Sequence, residues 1–428
     1  MTCSHRFDPS RRGVLKGAAG GLALALASGN LGFSAAPSNN KLVVIILHGG
    51  MDGLNVVVPT FASEYYAARP SIAIAPAGET NGALALSEGF GLHPALAGLA
   101  MMYDEGQLAV LHAASAPYQD RSHFDGLDVL ENGTETATFE QSGWLNRALG
   151  VAPALPAGLG IGSTLPLILK GEQIVPNWAA PVLDPADPKT VAKALAMYGP
   201  DPVLQAALQG SVDLAAIIGE PGDLGSGDEF LARAAGKIMS AEGGPGGCSI
   251  SFGSWDTHAN QGGATGTLAG RLGDLDAALL GLREEMGAAW DQTVVLVATE
   301  FGRTVQENGT GGTDHGVGGV SFVLGGAVKG GRILGDWPGL AANQLLDERD
   351  LFPANDLRSL FKGVLRDHWG VAKSDLNTLV FPDSADTPTM DNLLLSSATT
   401  PEPVPTPTPT PAPVIPDIPN IPNLRDFR

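Results

Sequence analysis

The chain has 428 residues, with 45 Asp or Glu against 25 Lys or Arg, a formal net charge of −20. That balance excludes a nucleic-acid partner, because a phosphate backbone is held by clustered Lys and Arg, and it excludes a basic membrane-surface protein. Hydrophobic residues at 44% and charged residues at 16% supply a large core rather than a disordered chain.

Ser10-Arg11-Arg12-Gly13-Val14-Leu15-Lys16 precede an apolar, small-residue run over 17–27. Paired arginines before a short apolar stretch predict a twin-arginine export signal over 1–36, with delivery to the periplasm or outside the cell. The alternative, an N-terminal anchor, fits less well because glycines interrupt the run and it is short for a span. Its removal leaves 21 basic and 44 acidic residues and one thiol, Cys248, expected to be a small buried hydrophobe. That export route carries folded proteins, often with a cofactor loaded, which hints at a metal.

Residues 41–47 are a continuous β-branched run, the pattern of a strand buried on both faces. Further strands are predicted at 107–112, 248–252, 293–298 and 319–324, and a helix at 124–131. A longer helix is predicted over about 267–290, with Leu268, Leu272, Leu275, Leu279, Leu282 and Met286 on one side. Residues 186–245 carry three short helical patterns, at 188–198, 202–208 and 228–241, expected to cap the sheet or its ligand site. Strand–helix–strand alternation implies an α/β sandwich around a mostly parallel sheet, occupying 37–398. Residues 399–428 form a Pro/Thr-rich spacer suited to reaching an envelope surface or protein partner.

Ligands of open parallel sheets bind beyond the carboxyl ends of the strands. The segments after these strands carry His48-Gly49-Gly50-Met51-Asp52, Arg121-Ser122-His123-Phe124-Asp125, Trp255-Asp256-Thr257-His258, Glu300-Phe301-Gly302-Arg303-Thr304 and Thr313-Asp314-His315-Gly316. Five of the seven histidines after residue 36 lie there or at strand ends. Asp256 with His258, and Asp314 with His315, offer imidazole nitrogen and carboxylate oxygen to a divalent metal, with Glu300 nearby; the alternative is backbone bonding near a turn. His48 and Asp52 make either a ligand pair or a glycine turn with an Asp cap. Ser122 precedes a predicted helix, as an N-cap or as a nucleophile at a positive helix end. Arg303 either binds an anionic ester or pairs with Glu300. His93, His112 and His368 read as structural. No Gly-x-Ser-x-Gly elbow, P-loop or dinucleotide loop occurs.

Together with the twin-arginine start and Asn308-Gly309, these motifs resemble the exported bacterial proteins called domain of unknown function 1501, over about residues 41–372. The resemblance implies the alkaline phosphatase and sulfatase superfamily fold, a three-layer sandwich with a small helical insertion. It also implies one or two divalent metal ions, zinc, manganese, calcium or iron. His315, Asp256 and His258 resemble that superfamily's metal ligands, and His48, Asp52, Glu300 and Asp314 complete the candidate set. Glu300 stands where Asp is usual, and Phe301 stands where His is usual. Ser122, His123 and Arg303 form the candidate catalytic group. The expected activity is exported, metal-dependent hydrolysis of a small phosphate or sulfate ester; the alternative is a non-catalytic binding or assembly protein that keeps the fold.

Overall fold

Six consecutive aliphatic side chains, Leu42 to Leu47, follow Lys41, and burying each on folding contributes about 1.5–3 kcal/mol. They form the central strand of a computed structural model that describes residues 39–138, 140–180, 186–219 and 224–395. The export signal expected over 1–36 and the spacer expected over 399–428 lie outside the described residues.

The described strands, in chain order, are β1 (Lys41–Leu47), β2 (Val57–Pro59), β3 (Leu84–Ala85), β4 (Phe90–Leu92), β5 (Leu108–Ser115), β6 (Gly158–Ile161), β7 (Asn177–Trp178), β8 (Gly247–Phe252), β9 (Thr293–Thr299), β10 (Gly319–Leu324), β11 (Arg332–Leu334) and β12 (Asn355–Asp356). Nine of them make one sheet, in the order β11-β5-β10-β9-β1-β8-β6-β7, with β12 also on β5. β1 runs parallel to both neighbours, with Leu47 opposite Phe252 on one side and Thr299 on the other. The fold is mixed α/β with a mostly parallel central sheet, and among the described strands of that sheet β10 alone is reversed. β2, β4 and β3 form a small separate antiparallel sheet.

Alternation along β1 divides the interior. Val43, Ile45 and Leu47 meet Leu268, Leu272, Leu275, Leu279 and Leu282 of the helix Thr267–Met286. Leu42, Val44 and Ile46 meet Leu360, Phe361, Val364 and Leu365 of the helix Leu357–Trp369. Helices therefore cover both faces of the sheet, the arrangement that buries a parallel sheet fully.

One expectation changes in detail. The helix expected at 202–208 continues to Ile218, through Gly210, whose cost of about 1 kcal/mol does not end it. The helix Gly227–Ser240, within the segment expected to cap the sheet or its ligand site, sends Ala232, Ala235, Ile238 and Met239 into the core shared with β8. The two- to four-residue strands went unseen because such short segments carry no measurable periodicity. No helix of the described residues is long and apolar enough to cross a membrane.

Candidate metal site

The carboxyl ends of β1, β5, β8 and β9 open on one edge of the sheet, and the amino end of reversed β10 opens there too. Residues 300–318, between β9 and β10, can therefore stay on that edge with no crossover. They fold back as a narrow ribbon in which Arg303 and His315 pair, Thr304 N–H donates to the Asp314 carbonyl, and Gly316 N–H donates to the Gly302 carbonyl. His123 arrives at the same edge as the first residue of the helix His123–Asn132.

Two glycines make this assembly sterically possible. A Cβ on Gly49, where φ is 126°, would lie 2.5 Å from the backbone nitrogen of Asp256. A Cβ on Gly50, where φ is 65°, would lie 2.7 Å from the Phe301 ring. Phe301 is buried and walls the site from below, with its ring centre 4.9 Å from that of His123 and 5.1 Å from that of His315.

The structure brings His123, Asp256 and His315 together as a group of metal-ligating type. The Nε2 atoms of His123 and His315 are 3.0 Å apart. Asp256 Oδ1 is 3.2 Å from His315 Nε2, and its Oδ2 is 3.4 Å from His123 Nε2. Ligands at the usual zinc–nitrogen length subtend about 3.3 Å at the tetrahedral angle, so these spacings fit a common ion. His258 adjoins the group, with its Nε2 3.0 Å from both His315 Nε2 and Asp256 Oδ1.

The opposite ring nitrogens decide what these Nε2 atoms are. His123 Nδ1 faces Glu300 Oε1 at 2.7 Å, His258 Nδ1 faces Asp314 Oδ1 at 3.1 Å, and His315 Nδ1 faces the Arg121 carbonyl at 3.0 Å. Each partner only accepts, so each Nδ1 carries the proton and each Nε2 of a neutral ring presents a lone pair. Carboxylate- or carbonyl-held imidazoles are the usual surroundings of a bound metal. Converging lone pairs 3.0 Å apart repel unless a cation or proton lies between them, so the donor set fits a divalent metal.

Electrostatics follow the same arrangement. The hydrogen bond to Glu300 raises the His123 pKa, against a smaller lowering by burial. Burial lowers that of His315, with Arg121 opposing. Burial works to raise the Glu300 carboxyl, but hydrogen bonds from His123, backbone N–H groups and Thr299 hold it below the usual range. Asp256 is likewise pushed up by burial and brought down further by Arg303, staying ionised.

Other residues singled out in the sequence take different positions. Glu300 is fully buried behind His123, bonded also to Gly49 N–H and Thr299, so it orients an imidazole rather than joining the group. Asp314 does the same for His258. The structure does not bring Asp52 to the cluster. Its carboxylate takes a two-bond contact from buried Arg69, at 2.6 and 2.9 Å, and a third from Gln261 at 2.6 Å. Arg303 cannot grip an ester where it lies, because its buried guanidinium donates to Asp256 and to the carbonyls of Gly49, Gly50, Trp255 and Thr313. Ser122 holds the N-cap position without a side-chain capping bond, which leaves its hydroxyl unspent on the helix. His48 lies within electrostatic reach of Glu300 and His123, and its buried Nε2 has no hydrogen-bond partner. His93, His112 and His368 each bond a backbone carbonyl. Arg69, Gln261 and Asp350, which brace these loops, carry no local sequence signal; Arg121 was visible only as a neighbour of Ser122 and His123.

Residues 186–379 match the family model described as Protein of unknown function (DUF1501). The match spans somewhat less than half of the chain. It carries Asp256, His258, Glu300, Arg303, Asp314 and His315, while His48 and the 121–125 motif of the DUF1501 resemblance lie ahead of it. Among curated proteins, none matches the chain. The crystal structure of the lipoteichoic acid synthase LtaP from Listeria monocytogenes is similar at 10% identity, covering 71% of this chain and 69% of LtaP, with a TM-score of 0.27.

Proposed function

We propose that this chain belongs to the DUF1501 family and is an exported, metal-dependent hydrolase acting on a small phosphate or sulfate ester, on an alkaline phosphatase-like fold. The observation that carries the reading is the convergence of three Nε2 lone pairs on the Asp256 carboxylate, each imidazole held from behind by an acceptor. His123, Asp256 and His315 would hold the ion, with His258 beside them. When bound, a divalent metal polarises an ester and lowers the pKa of a nucleophile or water. Ser122, at the amino end of a ten-residue helix, is the candidate nucleophile. Arg303 keeps Asp256 ionised and aimed at the imidazoles. The net charge of −20 disfavours polyanions, so the ester is small or locally charged. Export rests on Arg11-Arg12 and the apolar run after them.

A non-catalytic binding or assembly role is the second reading. It is favoured by Arg303, whose buried guanidinium donates to Asp256 and four backbone carbonyls, and by the Pro-rich spacer that could reach a partner. Elemental mass spectrometry on chain purified without chelator, joined to a panel of phosphate and sulfate monoesters, separates the two. The hydrolase reading expects about one or two equivalents of metal and turnover that His315→Ala and His258→Ala abolish. Stoichiometric metal without turnover favours the binding role; full turnover in either variant sinks the site assignment.

A further inference from the structure

Arg121 adopts φ 63°, a left-handed conformation that costs a non-glycine residue about 1–2 kcal/mol. Strain of this kind persists where the surroundings impose it, and here it points the Arg121 carbonyl at His315 Nδ1, 3.0 Å away. The surroundings are a second strained segment. Asp347 and Glu348 have φ 54° and 55°, and the fold-back that they make puts Asp350, fully buried, under the Arg121 guanidinium. Arg121 Nε donates to Asp350 Oδ2 at 2.7 Å and its Nη2 donates to Asp347 Oδ2 at 2.9 Å. Asp350 accepts also from Arg349 at 2.9 Å, and its backbone pairs with Leu346 and Thr304. The outer bond to exposed Asp347 contributes little, whereas the bond to Asp350 anchors the arginine to the core.

We infer that the Arg121–Asp350 pair is a positioning device for the metal site. It holds the strained Arg121 carbonyl against His315 Nδ1, which fixes the tautomer of that ring and the direction of its Nε2 donor. The inference rests on the metal-site reading above. Neither Arg121 nor Asp350 belongs to the ligand group, so both act through His315. Partners of this kind, when removed, weaken metal binding about 10–100-fold.

The test is a cobalt(II) titration of the full chain, freed of metal beforehand, followed by the visible absorption of a cobalt–imidazole centre. It compares wild type with Asp350→Asn, Arg121→Gly and the double variant, with near-ultraviolet circular dichroism as the check of folding. Glycine suits φ 63°, so Arg121→Gly removes the anchor without adding strain, and it decides alone should Asp350→Asn not fold. Each single variant is expected to bind cobalt about 10–100-fold more weakly with an altered spectrum. The double variant should be no weaker than the weaker single, as for two residues acting as a unit. Folded variants that bind as tightly as wild type, or losses that add in the double variant, overturn the positioning role while the metal site stands. A wild type that takes up no cobalt overturns the metal reading and this inference with it.

Discussion

Glu300 Oε1 lies 2.7 Å from His123 Nδ1, on the face of the imidazole opposite the ligand group. A fully buried carboxylate in that position fixes the ring's tautomer and raises the basicity of its Nε2. Glu300→Gln keeps the size but removes the charge, and metal affinity should fall about 10–100-fold with the fold intact. Cobalt or zinc competition titrations measure it; an unchanged affinity would remove Glu300 from the site.

The Asp52–Arg69 pair tests the corrected position of Asp52. Arg69→Ala leaves a buried carboxylate with only Gln261 beside it, and should cost about 3–5 kcal/mol of stability by urea denaturation. A loss below about 1 kcal/mol would mean that the pair contributes nothing beyond a surface bridge. Asp52→Asn should leave metal stoichiometry unchanged in whatever fraction folds.

Gly49 is predicted to tolerate no side chain. Gly49→Ala places a Cβ 2.5 Å from Asp256 N at a φ of 126°, and the loops must separate. Strain of about 1–3 kcal/mol should appear as a lowered melting temperature, together with weakened metal binding. Retention of both would show that the two loops approach less closely in solution.

Glu131 supplies a pH signature remote from the ligand group. Burial pushes its carboxyl up to about 7, with the Ile168 N–H opposing. Between about pH 4.5 and 7 the folded protein keeps a proton that the unfolded chain has released. Its contribution is thus complete at low pH and is lost as pH rises through that window. Measured against Glu131→Gln, wild-type stability should drop by on the order of 2–3 kcal/mol from pH 4.5 to 7. Parallel profiles for the two proteins would show that Glu131 is ionised throughout.

Much of the fold was legible because its central strands are long and buried on both faces. β1 and β10 match the predicted limits, and β8 and β9 match within a residue, since continuous aliphatic runs need no partner to be recognised. The chemistry-bearing residues were legible for a related reason. A parallel sheet delivers the loop after each strand to one edge, so His48, His123, Asp256, His258 and His315 could be grouped from strand ends alone.

The order of residues along the chain thus settles the sheet, its edge and the residue types gathered there. Division of labour among those residues is settled by folded contacts alone. Asp52 and Glu300 look like ligands in one dimension, but Arg69 claims the first, and the length of the second turns it behind His123. Arg303 looks like an anion clamp until five acceptors from three loops close around it. Hydrogen-bond partners distant in the chain leave no spacing to read, because it is the folded edge, and not the local sequence, that sets which donor meets which acceptor.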